Sequence, residues 1–351
     1  MLSPITHFLP ITTIRRERML PVPGRVMVRK GQKVSANDVV AEARLAPEHI
    51  VLDIARGLGL PSQKADTALQ FQAGEDVSEG DVVAGPVGIG RRVVRAPRGG
   101  KVVLAGGGQV LIETESEPYE LKAGIPGLVT ELFTDLGAEI ETTGALIQGL
   151  WGNGKIDYGL LMVLASSPDA VLTVDLLDIS HRGAVILGGH CGSADVISMA
   201  DEIPLRGLIL SSMNSALAKL AMNVKVPIVL LEGFGQIPMN MTAYKLLSTN
   251  ERREVAINAE GRNRLSSSRP EVVIPLPASG QIPLPVEIEE FSPGQQVRVI
   301  SAPKRAQTGT LVALRPGLTV LPSGIRAQAA DVRFESGETA IFPLANLEIL
   351  A

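Results

Sequence analysis

GQKVSANDVVA, residues 31–41, is written again as GEDVSEGDVVA, residues 74–84. Both copies obey G-x-x-V-S-x-x-D-V-V-A, with Gly31 and Gly74, Ser35 and Ser78, and Asp38 and Asp81 in matching places. The apolar positions of each copy can line one face of a strand, and the leading glycine supplies the turn before it. The aspartate stands where a turn feeds the next strand, and its carboxylate can bond its own backbone there. Two such units can pack about a pseudo-two-fold axis, each giving half of a flattened barrel. The repeat therefore reads as structural symmetry rather than chemistry.

The bulk composition agrees with a β-rich chain. Of 351 residues, 36 are glycine and 24 proline, a supply of tight turns, while aromatics make up only 3%. The length allows two or three domains with buried cores. A formal net charge of −4 argues against a protein that lives mainly on nucleic-acid phosphates. One cysteine rules out an internal disulfide and suits a reducing compartment. The first twenty residues hold no uninterrupted apolar run ahead of their basic cluster, and stretches such as GLLMVLA are too short to span a bilayer. The expectation is a cytoplasmic protein with no membrane partner.

Outward from the repeat, the pattern predicts a multidomain chain, mainly β with an α/β middle. Residues 1–125 form the repeat module, with a helical insertion over about 47–73 in which Ser62 is placed as an N-cap. Residues 126–165 are a β-rich connector. Residues 166–262 alternate strand and helix: AVILGG, then SADVISMADEI capped by Ser193; GLIL, then NSALAKLAM capped by Asn214; PIVLLEG, then TAYKLLSTNERREVA. That alternation implies a small parallel α/β layer. Residues 263–287 hold five closely spaced prolines and read as a semi-rigid linker. Residues 288–351 return to short strands separated by turns, as in a small barrel.

GQKVSANDVVAEA together with VVRAPRGGKVVLAGGGQVLIE resembles the barrel-sandwich hybrid of biotinyl and lipoyl carrier domains, a module also found in Rnf-type electron-transport subunits and RNA polymerase large subunits. The resemblance covers roughly residues 20–115 and implies a fold more than a function. A carrier would need a modifiable lysine at the tip between its halves. The nearest candidate, Lys64, falls in a helical stretch and reads as a solvated helix residue.

PGQQVRVISAPKRAQTGTLVAL, from Pro293, resembles a KOW motif: alternating Val297 and Val299, a basic loop with Pro303, and Gly309 before a strand. Extended over the remaining strands, it implies an SH3-like barrel of the kind in NusG-type elongation factors and ribosomal proteins. The implied partner is RNA or a ribonucleoprotein or protein assembly, through Arg298, Lys304, Arg305 and Arg315. From Phe291 onward six basic residues (those four, Arg326 and Arg333) face four acidic ones (Asp331, Glu335, Glu338, Glu348), a surplus for a few phosphate contacts. Stacking aromatics are few, and a barrel core can absorb Phe334 and Phe342.

The place for chemistry is the α/β segment. GGHCGSAD follows a strand and opens a helix, and ligands of open α/β sheets bind past the strands' carboxyl ends. Gly188, Gly189, His190, Gly192 and Ser193 could cradle a phosphate or carboxylate on free amides. Ser211, Ser212 and Asn214 would come from the second strand end, and Glu232 and Gly233 from the third. The stretch matches neither dinucleotide-binding nor P-loop glycine spacing. His190 and Cys191 are adjacent but lack a third group to orient them, and no histidine spacing suggests a metal. The sequence thus points to a non-catalytic scaffold or accessory protein without a cofactor. The alternative is a binder of, or enzyme acting on, a small anionic ligand at the strand ends.

Overall fold

The computed structural model describes residues 2–45, 47–114, 118–261, 269–278, 280 and 282–351. The chain separates into two compact units. Residues 1–19, 27–40 and 122–351 form the first, and residues 20–26 and 41–121 the second. The second unit is thus inserted in the sequence of the first. Both are mainly β.

The first unit is organised by one large mixed sheet. Its parallel part is the strands Ile156–Val163, Ala184–Leu187, Gly207–Leu210 and Ile228–Leu230, paired in that order. The last three are apolar runs because both their faces are covered, whereas Ile156–Val163 is only partly buried. Val185, Leu187, Ile209 and Val229 enter one core with the helix Met241–Ser248. Ile186, Leu208, Leu210 and Ile228 alternate to the other face, against the helices Ala194–Glu202 and Ala218–Asn223. The expected α/β alternation is present, and Ser193 caps its helix by accepting from Asp195 N. The expected helix beyond Ser248 is corrected: Glu254–Asn258 is a strand antiparallel to Ile156–Val163. Its Val255 and Ile257 complete the first core.

The sheet continues through Glu271–Pro275 and Gly137–Gln148. This corrects the linker expected over 263–287, as far as the described residues reach; residues 262–268, 279 and 281 lie outside them. Val272 and Ile274 are fully buried between two partner strands. The prolines do not prevent this, because Pro270 and Pro275 bracket the strand, where no ladder donor is lost from its interior. The boundary at 125 is corrected as well. Leu2–Thr6 pairs with Ile288–Glu290 and Leu347–Leu350, and Phe8–Met19 runs along Gly137–Gln148. Strand partners that distant leave no trace in local pattern.

A second sheet in the same unit runs Ile288–Glu290, Leu2–Thr6, Leu347–Leu350, Gln296–Val299, Thr308–Leu314, Ala329–Phe334, Thr339–Pro343. Its core takes Val297, Val299, Leu311, Val332, Phe334 and Phe342. The last two stack edge to face at 5.8 Å, so they are core residues, as the sequence allowed.

The two copies of the repeat make the same bonds, one in each unit. Gly31 N donates to Val129 O at 2.8 Å, and Gly74 N donates to Val102 O at 2.7 Å. Ser35 N reaches the Asp38 carboxylate at 2.8 Å, and Ser78 N reaches that of Asp81 at 2.8 Å. Gly31 and Gly74 have φ of 81° and 96°, which only glycine adopts readily. The structure also lengthens the repeat. Ala96-x-x-x-Gly100-x-Val102 and Ala123-x-x-x-Gly127-x-Val129 are equivalent: Ala96 N donates to Asp81 O at 2.9 Å, and Ala123 N donates to Asp38 O at 2.8 Å.

In the second unit a hairpin joins Val82–Val87 to Arg92–Arg95. Its tip carries Gly88, Ile89, Gly90 and Arg91, with Ile89 fully exposed and no lysine. Lys64 lies instead in the short helix Ser62–Asp66, whose cap position is Pro61 rather than Ser62.

Candidate functional site

The strand ends of the parallel layer are brought together as the sequence suggests, but they are closed. His190–Cys191 and Ser212–Met213 pair in parallel beyond the main strands. Bridges from Val171 to His190 and from Met213 to Phe234 extend that row. At Gly189 the glycine cradle is filled by protein. His190 N donates to Ala170 O at 2.8 Å, and a side chain at Gly189 would collide with that same carbonyl. Gly189 thus serves close backbone packing and Gly188 lies against the Leu172 and Leu210 side chains, while Gly192 is exposed. Ser212 is buried, with its hydroxyl donating to Ile237 O at 2.8 Å and accepting from Ile237 N at 3.0 Å. Ser193 and Asn214 are helix caps.

His190 sits 3.0 Å from the Ser212 hydroxyl through Nδ1, and burial lowers its pKa. The Cys191 thiol points to Ser193 O, and burial pushes its pKa up to about 11. A thiol so placed stays protonated at neutral pH and is not a nucleophile. Among the described residues no three of His, Cys, Asp and Glu converge as metal ligands, and no helix is long and apolar enough to cross a membrane.

Glu232, the third strand end, does reach a site. Here the structure reverses the reading of Arg298. Val297 and Val299 face the C-terminal core, so alternation sends Arg298 to the opposite face. There it meets the end of the parallel layer instead of solvent, and it is 1% exposed. Its Nη1 lies 2.6 Å from Glu232 and its Nη2 2.7 Å from Glu348. Glu348 also takes Arg269 at 2.6 Å and the Thr6 hydroxyl at 2.6 Å. Burial alone would raise the Glu348 pKa, but Arg298 and Arg269 outweigh it and hold the carboxyl at about 2. Two buried cations thus face two buried carboxylates. Arg298 is removed from the expected nucleic-acid surface.

The free oxygen of Glu232 accepts from Asn240 N at 3.1 Å and so fixes the 236–241 loop. That loop is one wall of a cleft of about 690 Å³; residues 304–308 and 334–338 form the other. Lys304 lines it but is held by Glu338 at 2.5 Å and lies 4.6 Å over the Phe334 ring. Arg315 lies outside it, in a bidentate pair with Asp331. Of the four expected basic contacts, Arg305 alone is exposed and, among the described residues, without an ion-pair partner. The two separately expected sites therefore meet in one place, through Glu232 and the Lys304–Arg305 loop. Sequence could not anticipate this, since the cleft depends on a contact between stretches some seventy positions apart. No protein-family model matches the chain, and no curated protein matches it.

Proposed function

We propose that the chain is a non-catalytic accessory protein that joins a larger assembly through its C-terminal module, with this cleft as the contact point. The observation that carries the reading is the cleft itself. Its 236–241 wall is tied through Glu232 to Arg298, inside the stretch that resembles a KOW motif. KOW modules on SH3-like barrels serve as attachment points in transcription and translation machinery, and an N-terminal barrel-sandwich hybrid suits the same scaffold role. Chemistry at the strand ends has less support, because Gly189 is packed, Ser212 is committed and Cys191 is buried. An RNA-containing assembly remains the second reading, favoured by Arg305, Arg326 and Arg333. These are exposed and, among the described residues, unpaired.

The test is capture of partners from the protein's own cell extract by wild type and Arg305→Glu, at about 100 and about 500 mM salt, a range over which phosphate contacts weaken steeply. A discrete partner set retained by wild type and lost by the variant supports the reading. Equal capture by both removes the cleft from it. Loss at high salt together with bound RNA selects the second reading.

A further inference from the structure

The cleft's chemistry narrows its occupant. Its fixed charges are mostly cancelled: Lys304 is paired with Glu338, and Glu232 with Arg298. What is left unpaired on the walls, among the described residues, is one cation, Arg305, and one anion, Glu335. A strand of phosphates needs a surplus of cations, which this cleft does not have. Gln236 and Gln307 line it with side-chain amides that make no hydrogen bond among the described residues. Each amide offers a donor and an acceptor, matching a peptide group, whereas a phosphodiester offers acceptors alone. Ile237 and Met241 add apolar surface, and an unbranched methionine adapts to varied side chains. The volume of about 690 Å³ falls in the range of ligand clefts.

We infer that the cleft binds an extended peptide segment of a partner protein. Its backbone is read by Gln236 and Gln307, an acidic side chain is held by Arg305, and neighbouring aliphatic side chains lie against Ile237 and Met241. This rests on the reading of the cleft as the protein's contact point.

The experiment uses the full chain and two probes: a display library of random linear peptides and a labelled oligouridylate. Wild type should enrich peptides in which an acidic residue recurs beside Leu, Met or Pro. Affinity for a selected peptide should fall at least tenfold in Arg305→Glu and in Met241→Asp. The second variant puts an acid in the first turn of the helix Met241–Ser248, where it does not oppose the fold. Lys101→Glu, in the other unit, should bind as wild type does. Peptide enrichment unchanged by the two cleft variants overturns the inference. Arg305-dependent binding of oligouridylate without peptide binding also overturns it, while leaving the cleft as the contact point. If neither probe binds in an Arg305-dependent way, both readings fail.

Discussion

Arg298 decides the geometry of the cleft at the scale of a single residue. With Arg298→Met, Glu232 and Glu348 stay buried and lose their shared cation, and Glu232 no longer holds Asn240 in the same field. Breaking one partner of a buried pair typically costs about 3–5 kcal/mol, and that loss is expected in urea unfolding of the variant. A cost under about 1 kcal/mol, as for exposed pairs, would contradict the network. This residue also marks where single positions stop being legible. The alternation Val297-Arg298-Val299 correctly separates core from non-core side chains. It cannot say that the far side is occupied by Glu232 and Glu348. At Gly189 the sequence signals a need for glycine but not whether a ligand or the Ala170 backbone fills the space.

At the scale of elements, legibility followed the range of the contacts. The runs AVIL, GLIL and IVL are strands because both faces of each are buried, and Ser193 and Asn214 cap the helices that follow. These are local rules. Glu271–Pro275 was hidden because proline density argues against a strand, and only its two neighbours in the sheet reveal it. The repeat was legible in its first half through near-identity. Its second half, Ala-x-x-x-Gly-x-Val, is sparse enough to be found only from its matching hydrogen bonds. Val272 gives a direct test of the buried strand. An unpaired carboxylate there would cost several kcal/mol, so Val272→Asp should abolish cooperative unfolding or soluble expression. A flexible linker would tolerate it.

At the scale of the whole molecule, the buried ion network makes stability depend on acid. Glu348 titrates at about 2 in the folded protein against an ordinary 4.5. As pH falls the unfolded chain takes up that proton first. The stabilisation is therefore present above about pH 4.5 and is lost as pH drops through about 2. Wild type should lose about 3 kcal/mol more across that window than Glu348→Gln, read from urea unfolding at stepped pH. Equal slopes would show that Glu348 is not held as described.

Hydrogen exchange of the full chain, with and without its captured partner, tests the central claim most directly. Bound partner should slow exchange at residues 236–241, 304–308 and 334–338, which make the two walls of the cleft, and leave the Gly88–Arg91 tip unchanged. Protection confined to that tip, or to surfaces outside both walls, would contradict the account.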